Sequence, residues 1–314
     1  MIKHFSSKDF SKDTSSPVIV FGNFDGVHLG HQELIQRAKK KGAMLCGTCV
    51  VYTFNPHPAK ILAPEHPPRL LQTPEQKIAA LKTIGVDVCI MEPFTSDFSH
   101  MHADDFFKKI IVERLNASAI VVGYDFTFGI HREGTSDTLS NLACSQGIEI
   151  DKVEAQFREE TLISSTNIRG MISDGDIDMA NSLLGRPYSI EGMVISGRGL
   201  GGALDAHTAN MRTYNELTPR NGVYITETIV EGVEKPYPSV TSIGDNPTFP
   251  DSDFAIETHL LDVDMNLLGK NIEIGFLKRV RDQVAFRSQK DLKERIRMDI
   301  ETSRTFHQAK RDTN

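Results

Sequence analysis

The residues best suited to chemistry begin with Gly22-Asn23-Phe24-Asp25-Gly26-Val27-His28-Leu29-Gly30-His31, which follows a short apolar run and opens a helix-like stretch. Glycines let a backbone approach a ligand closely, and the amides and dipole at a helix start attract phosphate. His28 and His31 lie three residues apart, so at a helix start they share a face and reach one phosphate together. A zinc site on His-x-x-His would want a third protein ligand, and none stands nearby. Further on, Ile163-Ser164-Ser165-Thr166-Asn167-Ile168-Arg169 puts three hydroxyls and a guanidinium at the start of another helix-like stretch. Alone, the hydroxyls could be only a helix cap. Beside the first motif they suit a polyphosphate, with the arginine supplying planar, permanent charge.

Two other glycine-rich strings fail their own tests. Gly129 to Ser136 has P-loop spacing, but Thr135 stands where the lysine belongs. Gly197 to Gly202 matches a dinucleotide fingerprint by letters, yet no helical pattern follows it.

The elements that must position these groups fall into two textures. Up to Leu184, short continuous apolar runs at Val18–Phe21, Met44–Thr53, Val86–Ile90, Ala119–Val122 and Ile148–Val153 alternate with helix-like stretches near His31–Lys41, Pro74–Ile84, Ala103–Leu115 and Ser136–Ser145. This alternation predicts an α/β domain, a doubly wound parallel sheet covered on both faces. Thr53-Phe54-Asn55-Pro56-His57-Pro58 and Val122-Gly123-Tyr124-Asp125-Phe126-Thr127-Phe128-Gly129 then stand at carboxyl ends of strands, where open α/β sheets bind ligands. The Pro-rich piece from Asn55 to Pro68 reads as a loop across that edge, and Asn167 to Leu184 as one helix. Beyond Leu184, runs at Tyr188–Ile195, Gly222–Ile229, Ser239–Ile243, Phe254–Leu261 and Asn271–Phe276 are separated by Gly, Pro and Asp, which predicts a small antiparallel barrel or sandwich. Ser288 to Phe306 reads as a closing helix that packs through Leu292, Ile296 and Ile300. The expected domains are residues 1–184 and 185–314.

Bulk properties narrow the class. A chain of 314 residues is long for one core and suits two domains. Hydrophobic residues at 39% and charged residues at 25% are ordinary for a folded protein. A net charge of -7 argues against a nucleic-acid groove, which needs clustered Lys and Arg. No apolar run approaches the roughly 18 residues a membrane span needs, and the polar start lacks a signal-peptide core, so a cytoplasmic location is expected. The cysteines Cys46, Cys49, Cys89 and Cys144 all fall in one half and read as reduced thiols. The Cys46-x-x-Cys49 pair heads a strand-like run, where positions three apart point to opposite faces, which favours a structural role over a metal or redox one.

At this point the residues become specific. Gly22 to His31, Thr53 to Pro58, Val122 to Gly129 and Ile163 to Arg169 resemble, in order, the motifs of the HIGH-type nucleotidyltransferase superfamily in its bacterial FAD synthetase branch, over nearly all of residues 17–184. The resemblance implies ATP binding by Gly22, Phe24, Asp25, Gly26, Gly30, Ser164, Ser165 and Thr166. It implies flavin binding by Asn55, His57, Asp125, Phe126 and Phe128, with charge stabilisation by His28, His31 and Arg169. The FMN phosphate is already an anionic nucleophile, so direct in-line transfer helped by Mg²⁺ needs positioning more than proton removal.

In the second half, Leu184-Gly-Arg-Pro-Tyr188, Gly197 to Gly202, Thr208-Ala209-Asn210, Gly222-Val-Tyr224, Ile243 to Phe249 and Ile256 to Asp262 together resemble the riboflavin kinase barrel. That resemblance implies Glu257 as the base for the riboflavin hydroxyl, and Thr208 and Asn210 as holders of Mg²⁺ and the ATP phosphates. A lone Glu in a strand would otherwise be a solvated surface carboxylate. The chain departs from the barrel family at Asp205-Ala206-His207, where Gly, an apolar residue and Pro are usual, and at Gly202, where a basic residue is common. The family reading is a bifunctional enzyme that takes riboflavin to FMN and FMN to FAD. A monofunctional FAD synthetase with an impaired barrel and a flavin-binding regulatory protein stay open at this point, as does oligomeric state.

Overall fold

The computed structural model describes residues 1–4, 6–11, 13–196, 208–245, 254–263, 265–286 and 288–313. Gly197 to Gly202, Asp205-Ala206-His207 and Asn246 to Phe249 lie outside the described residues. The chain divides into two compact units, Met1–Ser165 and Thr166–Asn314.

The first unit is organised by four central strands too apolar to face water on either side. In chain order it contains β1 (Ile2–His4), β2 (Val18–Phe21), α1 (Leu29–Met44), β3 (Cys49–Phe54), α2 (Pro58–Leu62), α3 (Pro74–Thr83), β4 (Val88–Glu92), α4 (Ser96–Ser99), α5 (Ala103–Asp105, continuing as a π-helical stretch Phe106–Arg114), β5 (Ala119–Gly123), β6 (Thr127–Phe128), β7 (Gly134–Thr135), α6 (Ser136–Cys144), β8 (Glu149–Val153), β9 (Phe157–Arg158) and β10 (Thr161–Leu162). The main sheet has six strands in the order β1-β4-β3-β2-β5-β8, every pair parallel. Val18 to Phe21 are buried throughout, as a central parallel strand with helices on both faces demands. Ile19, Phe21, Val50, Tyr52 and Ile120 serve a core on one face, and Val18, Val20, Val51, Cys89 and Val121 serve the other.

Several boundaries differ from the sequence expectation. The run from Met44 to Thr53 is not one strand. The helix continues to Met44, the chain turns at Cys46 with φ 49°, and the strand starts at Cys49, where burial starts. The Pro-rich loop contains the short helix α2, started by a proline in the first turn. β1 has no apolar run long enough to announce it; it is held by pairing with β4.

The second unit opens with α7 (Ser165–Asp174), whose first residue belongs to the first unit, and α8 (Ile177–Leu184). The expected single helix is broken at Gly175, where φ is +84° and a Cβ would collide with Arg279. Then follow β11 (Tyr188–Ile195), β12 (Ala209–Thr213), β13 (Gly222–Val230), β14 (Tyr237–Gly244), β15 (Ala255–Leu260), β16 (Asn271–Arg281) and α9 (Gln289–Thr313). The strands close as β11-β12-β15-β14-β13-β16, all neighbours antiparallel, which leaves no open edge. β12 escaped sequence reading because only Ala209 and Met211 turn inward.

The barrel interior is apolar on one side, where Tyr188 and Tyr224 pack on Phe276. On the other it is lined by hydroxyls. Thr226 bonds Ser239 and Thr241 at 2.8 Å each, Thr228 bonds Ser239 at 2.8 Å, and Thr241 donates to Thr258 at 2.9 Å. Every one of these side chains is fully buried. A buried hydroxyl without a partner costs about 1–3 kcal/mol, so the mutual pairing is what makes such a core affordable. The docking of α9 is also polar. Its buried residues Asp299, Ser303 and His307 recur every fourth position. Arg281 holds Asp299 through bonds of 3.1 and 2.6 Å, Ser303 Oγ donates to Ser239 O at 3.1 Å, and His307 Nε2 donates to Thr226 O at 3.0 Å. Leu292, Ile296 and Ile300 are only half-buried.

Among the described residues, no helix is long and apolar enough to cross a membrane. Cys49 and Cys89 are buried, and burial pushes their thiols up to about 12 and about 11, whereas Cys46 and Cys144 are exposed. Because the thiolate is the reactive form, the native protein at pH 8 should release two equivalents of chromophore with an aromatic disulfide reagent, and four after denaturation.

Candidate functional site

The strand order reverses between β2 and β5: the chain runs from β2 outward to β3 and β4, then crosses to β5 on the other side of β2. A parallel sheet opens a crevice at such a reversal, beyond the carboxyl ends of the strands. The segments that follow β2, β3 and β5 are Gly22 to His31, Asn55 to Pro58 and Tyr124 to Gly129, so three of the sequence motifs share one edge of the sheet.

The turn after β2 has an unusual backbone. Phe24, Gly26 and Val27 all take positive φ, at 50°, 89° and 42°. Two of these are not glycine, so the conformation must be enforced from outside. Gly22 N–H donates to Tyr52 O at 3.2 Å. Asn23 O accepts from Lys77 Nζ at 2.7 Å and from Thr53 Oγ1 at 3.0 Å. The buried carboxylate of Asp25 accepts the Leu71 N–H at 3.0 and 3.2 Å, and Asp25 O accepts from Ser165 Oγ at 2.8 Å. Lys77 is only 7% exposed. Burial lowers its pKa, partly opposed by Asp25. Lys77 was not legible as a site residue, because it reaches the turn from a distant helix, and the motif that begins at Thr53 gave no sign that its hydroxyl holds the turn.

His28 caps α1: its Nδ1 accepts the His31 N–H at 3.3 Å. A ring nitrogen that accepts carries no proton, so His28 presents its N–H at Nε2. The two imidazoles stack with centroids 3.6 Å apart and 17° between planes, and His31 rests against the fully buried Phe24 at 5.1 Å. The histidine pair therefore meets as expected, while the side chains of Phe24 and Asp25 turn into the protein. Gly30 makes room for the stack, since a Cβ there would lie 3.2 Å from His28 Nδ1.

Ser164 and Ser165 are half-buried at the start of α7, Thr166 is exposed, and Arg169 Nη1 donates to Thr166 Oγ1 at 3.5 Å one turn on. After β5, Phe126 and Phe128 stack with centroids 5.6 Å apart and 17° between planes, and Phe126 lies 5.9 Å from Phe21. Asp125 beside them is exposed. Asn55 is exposed after β3, its N–H held by Glu92 O at 3.0 Å, and His57 caps α2 through Ala59 N–H at 3.1 Å.

On the barrel, Glu257 in β15 stands directly opposite Asn210 of β12 and Ser242 of β14. Alternation turns these three outward, with Thr258 inward among the hydroxyls. Thr208 lies two residues before Asn210, on the same side of the strand direction. Ser242 Oγ accepts from Gln283 Nε2 at 3.1 Å. Glu257 is half-buried, and desolvation raises its pKa above the ordinary glutamate range. It is thus not the freely solvated carboxylate that a lone strand Glu would be.

Comparisons with known proteins follow this division. The FAD synthetase family model matches residues 10–167, and the riboflavin kinase model matches residues 184–307. The bifunctional riboflavin kinase/FMN adenylyltransferase of Escherichia coli (strain K12) is 35% identical over 289 residues, covering 92% of each chain. The protein of the same description from Bacillus subtilis (strain 168) is 35% identical over 295 residues, again covering 92% of each. A crystal structure described as a macrolide-efflux protein from Streptococcus pneumoniae superimposes with a TM-score of 0.87 at 32% identity, covering 96% of this chain and 98% of that one. The chain belongs to the bifunctional riboflavin kinase/FMN adenylyltransferase family.

The packing at Gly30 is directly testable. In Gly30→Ala the new methyl would lie 3.2 Å from His28 Nδ1, so the ring must shift by a few tenths of an ångström within its stack on His31. FAD formation from FMN should fall about tenfold or more through lost alignment. The thermal midpoint should not fall, because alanine favours the helix.

Proposed function

We propose that this chain performs both steps of flavin-nucleotide synthesis, phosphorylating riboflavin to FMN on the barrel and adenylylating FMN to FAD at the reversal between β2 and β5. The observation that carries the reading is the pairing in one chain of a stacked histidine pair on a left-handed turn at the sheet reversal with a desolvated Glu257 between Asn210 and Ser242. The adenylyltransferase is assigned to residues 1–184 and the kinase to residues 185–314.

In the adenylyl transfer, an FMN phosphate oxygen attacks the α-phosphorus of ATP and pyrophosphate leaves. The nucleophile is already an anion, so the protein's part is to align it and to stabilise charge on the phosphates. Arg169 supplies positive charge, and His28, through its Nε2–H, and His31 supply hydrogen bonding. The backbone of Gly22, Phe24, Asp25, Gly26 and Gly30 forms the phosphate-facing turn, and Ser164, Ser165 and Thr166 contact the outer phosphates. Phe126 and Phe128 offer an aromatic surface to the isoalloxazine ring, with Asp125, Asn55 and His57 at its polar edge.

The kinase step begins from a neutral alcohol and needs a base. Glu257 takes the proton of the riboflavin primary hydroxyl as its oxygen bonds to the γ-phosphorus and ADP leaves. Thr208 and Asn210 would hold Mg²⁺ and the ATP phosphates. Their hydroxyl and amide oxygens are hard donors of the kind Mg²⁺ takes one or two of, keeping water and phosphate oxygens for the rest. Bound there, the ion would neutralise charge on the transferring phosphate.

Purified protein is incubated with Mg²⁺-ATP and either riboflavin or FMN, and the flavins are separated by chromatography. FAD from both substrates, with FMN appearing first from riboflavin, is the expected outcome. FAD from FMN alone would mean a barrel that no longer phosphorylates. In Glu257→Gln, FMN formation should fall about 10²-fold or more while FMN-to-FAD conversion persists. Because the base works deprotonated and its pKa is raised, the acid limb of the parent kinase profile should lie at higher pH than an ordinary glutamate would give.

A further inference from the structure

The turn from Gly22 to Val27 rests on a cation that none of the four motifs contains. Lys77 sits in α3, in the segment Thr73-Pro74-Glu75-Gln76-Lys77, and its side chain is turned inward. A buried lysine without an equal compensating contact is expensive, and a helix of this kind would normally bury a leucine or methionine here. What Lys77 meets is the 2.7 Å bond to Asn23 O and the charge of Asp25, whose own carboxylate is fixed by the Leu71 N–H. Both partners belong to the phosphate-handling turn.

The direction of that bond has a geometric consequence. A trans peptide sets its C=O and N–H on opposite sides. A carbonyl drawn onto Lys77 and Thr53 therefore turns the N–H of Phe24 away from them, and no protein group among the described residues accepts that N–H. Asp25 O is likewise tied down by Ser165 Oγ. Successive amides oriented by alternating left-handed residues form an anion-binding concavity. With φ at +50° on Phe24, the turn adopts this shape only while the carbonyls stay pinned.

We infer that Lys77 is a positioning residue for adenylyl transfer: from beneath the turn it pins the Asn23 carbonyl, which aims the Phe24 amide at the ATP phosphates. The inference rests on the reading of Gly22 to His31 as the phosphate site. Lys77 touches neither substrate, so its loss should act on kcat through misaim of the turn rather than on flavin affinity.

The test compares Lys77→Met, which removes donor and charge at similar volume, with Lys77→Gln, which keeps an N–H donor, in the full chain. Thermal midpoints and both half-reactions are measured, the riboflavin kinase step serving as an internal control in the same preparation. For FMN-to-FAD conversion, Lys77→Met should lose about tenfold or more in kcat with little change in KM for FMN, at a midpoint equal to or above the parent's, since a buried charge has been removed. Lys77→Gln should stay within about threefold of the parent because it can still pin the carbonyl. Parental kcat in Lys77→Met, or equal loss in both variants, would overturn the inference. If the Met variant does not fold, the Gln variant decides: near-parental kcat sustains the inference, and a tenfold loss defeats it. His31→Ala separates this from the site reading itself. Should His31→Ala leave FAD formation intact, the phosphate site is misassigned; should it abolish FAD formation while Lys77→Met does not, only the role of Lys77 falls.

Discussion

A turn with three left-handed residues in four positions cannot hold itself, and the architecture of the first unit follows from the need to hold it. Phe24, Gly26 and Val27 are kept at positive φ by groups from β3, from α3, from the segment before Thr73 and from the start of α7. Each of those groups lies elsewhere in the chain, so the turn exists only when the whole unit is assembled. The sheet reversal supplies the place: β2 is central, its carboxyl end faces a crevice, and the helix that follows begins with a histidine cap rather than the usual Ser, Thr, Asp or Asn. The cap and the stacked ring beside it are the groups proposed to meet the phosphates.

The barrel solves a different problem. Its proposed chemistry needs a base with a raised pKa on a strand face, and a strand face is ordinarily wet. Glu257 is shielded because it lies between two paired strands, with Asn210 and Ser242 directly opposite. Its neighbour Thr258 faces inward into a closed hydroxyl network, which fixes the strand that carries the base. The adjacent Gln283 reaches Ser242 from beyond β16, a contact from the far end of the sheet sequence. These supports of the strand that carries the proposed base are polar, as are the bonds that pin Asn23 O and Asp25 in the turn after β2.

The same polar logic defeated part of the pattern reading. The helix α9 was expected to dock through Leu292, Ile296 and Ile300, but its buried stripe is Asp299, Ser303 and His307. Periodicity sees hydrophobicity, and a helix held by an ion pair and two backbone carbonyls gives no such signal. Lys77 is invisible for the same reason, since a lysine on a helix reads as solvated until its neighbours are known. β12 was missed because half of a thin barrel wall is polar.

By itself the sequence determined the class of each half, the order of the motifs and the residues that carry them. Short continuous apolar runs alternating with helical patterns predict covered parallel strands, His28, His31, Ser164, Ser165, Thr166 and Arg169 stand out by type and spacing, and Glu257 stands out only through the resemblance of its surroundings to the kinase barrel. Only the tertiary structure decided which of these meet and how they are held. It stacked His28 on His31, turned Asp25 inward onto Leu71, placed Lys77 under Asn23, and raised the pKa of Glu257. The physical reason is range: strand and helix patterning is local along the chain, whereas burial, desolvation and hydrogen bonding depend on groups tens of residues away, which become neighbours only in the fold.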